Sequence, residues 1–188
     1  ARVMGVTLVA KPAFQECTIK LINEQEDNVN PKASEQDALI ACAAVVSSIP
    51  VNPPAAWFDN PKLTAPTPLT VTDDGRVFGH IAAWHTDHIG LAMGTKPPKS
   101  RSGYAYFHTG IIRTNEGSDV PVGQLTLAGG HASLSADAAS AAKHYDDTGS
   151  AFADVHAGED AYGIWVSGAL RPSVTPEQVR AVRASAPS

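Results

Sequence analysis

The sequence predicts an α+β fold: an antiparallel β-sheet or small barrel with two or three flanking helices, preceded by an N-terminal arm. Three observations carry that expectation. Short runs that alternate apolar with polar residues recur between turn residues, an Asp-Gly dipeptide sits between two of them, and Thr175-Pro176-Glu177-Gln178 spells a helix start near the end of the chain. A length of 188 residues suits one domain of about 100–150 residues with an extension, and is short for two full cores.

Val3 to Val9 and Cys17 to Ile22 alternate over short stretches and read as two strands around a Lys11-Pro12 turn. Residues 23–35 are polar and unpatterned; Ser34 then offers a helix cap, with Glu35 and Asp37 in the first turn of a buried helix over 35–48. Pro50, Pro53, Pro54, Pro61, Pro66 and Pro68 follow within one stretch. That density excludes helix interior and central strand, so residues 50–68 read as an extended strap pinned by Trp57 and Phe58. The chain thus divides into an arm or subdomain over 1–49, the strap over 50–68, and a β-rich unit over 69–188.

Within that unit, Leu69–Thr72 and Val77–Trp84 flank Asp73-Asp74-Gly75-Arg76, a strong hairpin signal. A Gly/Pro-rich loop over 85–103 leads to a second expected hairpin, Tyr104–Ile112 with Val120–Leu127, around Asn115-Glu116-Gly117. Ala132–Lys143 reads as an Ala-rich helix starting at Ser133 or Ser135. Ser150–Val155 and Gly163–Leu170 make a third strand pair around Gly158-Glu159-Asp160. Thr175 then caps a helix with Pro176 at its first position.

Composition narrows the function classes. Hydrophobic residues make up 43% and charged residues 18%, the profile of a folded chain with long uncharged loops. The net charge of −5 is dispersed, which disfavours direct nucleic-acid binding. The longest apolar run, Ala38 to Ile49, is too short to cross a bilayer, and no secretory pattern opens the chain. Cys17 and Cys42 lie among aliphatic residues and read as small buried hydrophobes in a cytosolic setting, not as a disulfide or a zinc site.

The seven histidines are the chemistry-bearing candidates. His85-Thr86-Asp87-His88 offers too few ligands, in a Gly/Pro loop without Cys, and reads as solvated loop rather than metal site. His80, on a strand beside Trp84, and His108, at the end of an aromatic strand, fit a satisfied core residue as well as a chemical role, and His156 reads as an exposed residue beside a turn. His131 stands on a Gly-rich turn before the Ala-rich helix, where it either caps that helix or has a chemical role. His144 ends the same helix and precedes Tyr145-Asp146-Asp147, which reads either as a helix C-terminal His favoured by the dipole or as an imidazole set beside carboxylates at a chain reversal, as a general base requires.

The block that begins there has a distinctive order. His144-Tyr145-Asp146 is followed by the run Ala151 to Val155. Next come Gly158-Glu159-Asp160-Ala161-Tyr162-Gly163-Ile164-Trp165-Val166-Ser167-Gly168-Ala169-Leu170, then a helix leading to Ala184-Ser185-Ala186-Pro187-Ser188. This order resembles that of the tailed-phage prohead proteases, relatives of herpesvirus assemblin: a His-Asp pair, a strand, an acidic turn, a Gly-aliphatic-aromatic-Val strand, a helix and a Ser on the next strand. The wording His-Tyr-Asp-Asp-Thr-Gly, Gly-Glu-Asp-Ala-Tyr-Gly-Ile-Trp-Val and Gly-Ala-Leu-Arg-Pro is similar to that of actinobacterial-phage capsid maturation proteases. The parallel covers residues 69–188.

The resemblance implies a serine endopeptidase that cleaves capsid or scaffold precursor during head assembly, in the host cytoplasm and then inside the prohead or virion. His144 matches the family's general base, and Ser188 stands where the nucleophile is expected. Either Asp146 or His131 would orient the imidazole, and the two remain open. The implied partner is the major capsid or scaffold protein, with a homo-oligomer compatible and no membrane, cofactor or metal required. The strap and the Ala-Pro-Ser end are extended segments of the kind a protease reaches. A second expectation follows from a chain that stops at Ser188: a processed, catalytically incomplete fragment retained as a structural, minor or cement protein of the capsid.

Overall fold

A computed structural model describes residues 6–8, 19–21, 35–87, 94–127, 135, 137–140 and 150–184. The elements are β1 (Val6–Leu8), β2 (Ile19–Leu21), α1 (Glu35–Ser48), a 3-10 turn (Ala55–Phe58), β3 (Leu69–Val71), β4 (Arg76–Ala83), β5 (Gly110–Arg113), β6 (Asp119–Leu127), β7 (Ala151–Glu159), β8 (Gly163–Leu170) and α2 (Pro176–Ala184). The fold is α+β. Strands β3 to β8 form an open antiparallel sheet, not a closed barrel. Across it the order is β6-β7-β8-β4-β3, with β5 paired to β6, and β1 and β2 joined in parallel to β6 and β3.

Local chemistry explains the turns. Thr72 O accepts the Gly75 N–H at 3.1 Å, Arg76 O accepts the Thr72 N–H at 3.0 Å, and Gly75 holds a φ of 90° that a side chain would resist. Helix α2 opens with a capping box: Thr175 Oγ1 accepts the Gln178 N–H at 3.2 Å while Gln178 Oε1 accepts the Thr175 N–H at 2.9 Å. Its Val179 and Val182 are buried in one core cluster with Cys42 and Val45 of α1.

Register separates the two faces of the sheet. Trp165, Ser167 and Ala169 of β8 lie opposite His80, Phe78 and Arg76 of β4, and opposite Gly158, His156 and Asp154 of β7. That face carries the strap: Phe58 packs with Val122 and Ala169, and the Trp57 carbonyl accepts the Ser167 hydroxyl at 2.5 Å. Just before these residues the strap is tied by Ala55 N–H to Glu116 Oε2 at 2.9 Å and by Asn115 N–H to Pro53 O at 3.2 Å. The opposite face, with Val155, Ala157, Ile164 and Val166, shares the core with both helices and with Phe107.

Several expectations needed correction. β1 and β2 do not pair with each other but join opposite edges of the sheet, because partners from β6 and β3 are available there. Residues 104–107 are a turn, not the start of a strand: Tyr104 has a φ of 65°, and its carbonyl accepts the N–H groups of Phe107 and His108 at 2.8 and 3.0 Å. Tyr104 and Phe107, three apart, are the buried pair, whereas strand alternation would have buried Tyr106, which is 41% exposed. Ser135 lies in a turn, and the described helical residues 138–140 are capped by Asp137, whose Oδ1 accepts the Ser140 N–H at 2.7 Å. β7 runs on to Glu159, so His156 is a half-buried strand residue rather than an exposed one beside a turn. Ser34 and Cys17 lie outside the described residues.

A Cβ at Gly123 would run into the Phe107 ring. Gly123→Ala is therefore expected to cost about 1–3 kcal/mol through overpacking, read as a lowered urea midpoint; an unchanged midpoint would show that the ring moves aside freely.

Candidate functional site around the β7–β8 turn

The described chemistry concentrates where β7 turns into β8. Asp160 is its hub. Its Oδ1 accepts the N–H groups of Tyr162 and Gly163 at 2.7 and 3.0 Å, its carbonyl accepts the Trp84 indole N–H at 2.8 Å, and both carboxylate oxygens stand 3.0–3.1 Å from His80 Nε2. His80 is 3% exposed. Beside the hub, Glu159 Oε1 accepts the Ser100 N–H at 2.6 Å and the Tyr104 hydroxyl at 3.0 Å, tying the preceding loop to the sheet. Burial first, then the bond to Glu159, pushes the Tyr104 hydroxyl well above its ordinary pKa.

Backbone partners fix what each imidazole can do. Thr67 N–H points at His80 Nδ1 at 3.0 Å, so Nδ1 accepts and Nε2 carries the proton it donates to Asp160. Both nitrogens of His80 are spent. His80 is thus a clamp between the strap, β4 and the β7–β8 turn, and not a base. The Ala157 N–H is donated to His108 Nε2 at 2.9 Å, so His108 is the Nδ1–H tautomer and has no lone pair to offer. Burial, with a smaller contribution from the neighbouring His156, lowers its pKa to about 4. His156 is the reverse: Nδ1 donates to Pro121 O at 2.9 Å, which leaves the Nε2 lone pair for other use. Its ring stacks on His108, with centroids 4.1 Å apart and planes at 9°, and tilts against Trp165 at 6.1 Å.

His156 is therefore the half-buried histidine here with the electronic form of a base. Its cross-strand neighbour Ser167 is not a matching nucleophile, because that hydroxyl is 0% exposed and already donated to Trp57 O. No family model, curated protein or solved structure matches this chain.

His131, His144, Asp146 and Ser188 all lie outside the described residues, as does His88. His85 is exposed, with a φ of 71°, and its carbonyl accepts from Lys96 Nζ at 2.6 Å; Lys96 also pairs with Asp87, which lowers the Asp87 pKa. Among the described residues no group of three or more His, Cys, Asp or Glu is placed to hold a metal ion. Sequence reasoning read Asp160 as a turn residue and missed its role as acceptor for His80. The available signal was the need of a strand-buried imidazole for two partners. Nothing in the spacing of His108 and His156 announces their stack.

Every group aimed at the Asp160 carboxylate is a donor, and Thr67 prevents His80 from reversing its tautomer. Asp160→Asn would set an amide N–H against a donor whichever way it turns. The expected loss is about 1–3 kcal/mol of stability by denaturant unfolding, and a neutral substitution would mean that the hub is not held as described.

Proposed function

We propose that this chain is the protease-bearing part of a tailed-phage capsid maturation protein, a serine endopeptidase that cleaves capsid or scaffold precursor with Ser188 as nucleophile and His144 as general base. The observation that carries the reading is the ordered block from His144 to Ser188. Its described elements are strand β7, the acidic turn, strand β8 and helix α2, in the order the resemblance requires.

The geometry of the sheet supports it further. Ala151 at the start of β7 pairs with Thr126 near the end of β6, and Ala153 pairs with Leu170 at the end of β8. The chain therefore leaves β6, enters β7 and leaves β8 at one end of the sheet. Arg171 rivets that end: its N–H bonds to Phe152 O at 2.9 Å, and its guanidinium reaches both oxygens of Asp154 at 2.6–3.1 Å. Catalytic groups carried on segments that spring from a rigid sheet end suit a site of this kind.

In this scheme the Ser188 oxygen bonds to the scissile carbonyl carbon as its proton passes to His144. The imidazolium then returns the proton to the departing amine, and water repeats the sequence on the acyl-enzyme. Asp146 or His131 holds the ring.

The test is co-expression of the full-length protein with its capsid precursor. His144→Ala and Ser188→Ala should each lower cleavage by at least about a thousandfold, while Asp146→Ala and His131→Ala separate the two orienting candidates by which costs more. Normal processing by the His144→Ala variant, with the chain at fixed stoichiometry in mature particles, overturns the protease reading in favour of a structural capsid component.

A further inference from the structure

We infer that residues 104–108 form an acid-released clasp on the open edge of β7, with His108 as its trigger. The edge is open for a reason visible in the register. β6 pairs with β7 from Gly123 opposite Val155 onward, and continuing that register would set Pro121 opposite Ala157. Proline has no N–H to continue a ladder, and the Pro121 carbonyl is taken by the His156 side chain.

The clasp straddles the edge. Phe107, 2% exposed, enters the core on one face of the sheet against Gly123. On the other face the His108 ring lies flat on His156, and between them His108 Nε2 takes the Ala157 N–H. A side-chain acceptor thus substitutes for a strand. A backbone carbonyl in that place would be indifferent to pH over this range, whereas an imidazole is not: once protonated, Nε2–H confronts the Ala157 N–H and the bond becomes a repulsion.

The groups facing His108 are His156 from β7, stacked on it, and Tyr104 from its own turn, whose hydroxyl is bonded to Glu159 of β7. A charge on His156 opposes protonation of the closed clasp and does not oppose opening. In the closed form the His108 pKa is lowered from 6.5 to about 4. The open form binds the proton more tightly than the closed form, so the clasp is firmest above pH 6.5 and weakens as the pH falls toward 4.

Hydrogen exchange at the Ala157 amide of the full chain, corrected for the intrinsic rate, reads the clasp directly. Protection should fall between about pH 6.5 and 4, by no more than about tenfold per pH unit, the limit for one proton. His108→Gln supplies an uncharged acceptor, so protection should persist with that pH dependence removed. His108→Ala should lose protection at all pH values; should that variant not fold, the Gln variant alone decides. The inference is overturned if His108→Gln keeps the wild-type pH dependence, or if Ala157 stays protected in a folded His108→Ala.

Discussion

Strand β8 has no exposed residue, and that constraint organises the rest of the molecule. A strand buried along its whole length needs a layer on each face. The helices and Phe107 supply one. The other is the proline-rich strap, which is why an irregular segment lies over a sheet face. Burying Phe58 contributes roughly 1.5–3 kcal/mol, and the Trp57 carbonyl meets the one hydroxyl that β8 buries there. The composition of β8 answers to its neighbours as well. A Cβ at Gly163 would strike the Ala82 carbonyl, and one at Gly168 would strike the backbone of Asp154 and Val155, so close strand approach excludes larger residues at both positions.

Elements whose cause is local were legible from residue order. The β3–β4 hairpin follows from Asp74-Gly75, the α2 start from Thr175 and Gln178, and β8 from a run of eight residues bounded by turns. Helix α1 spans the residues expected of it, although it lacks a clean apolar stripe: Cys42 and Val45 are buried while Ile40 is 63% exposed. In these cases turn chemistry, capping and hydrophobic runs agree, and no distant partner has to be known.

Where the cause lies far away in sequence, local reading failed. An aromatic run at 104–108 has strand composition, yet the vacancy it fills is created by Pro121 and Gly123, and filling it takes a turn with left-handed backbone at Tyr104. The two N-terminal strands read as flanking one turn, but each pairs at a different edge of the sheet. The His80–Asp160 contact joins residues 80 apart, and no spacing rule reaches that distance.

The histidines show how the fold, and not residue type, assigns chemistry. Thr67, Ala157 and Pro121 each contribute one backbone group, and those three groups make one imidazole a clamp, one an acceptor and one a latent base. The sheet uses the hydroxyl of the residue opposite that base, Ser167, to hold the strap. A cleavage site located in the middle of this sheet would need to undo that bond and uncover β8, at the expense of the packing that defines the fold. A site at the sheet end, where β6, β7 and β8 exchange their connecting segments under the grip of Arg171 and Asp154, demands no such sacrifice. On the proposed protease reading, chemistry carried at that end leaves the packing of the sheet face intact.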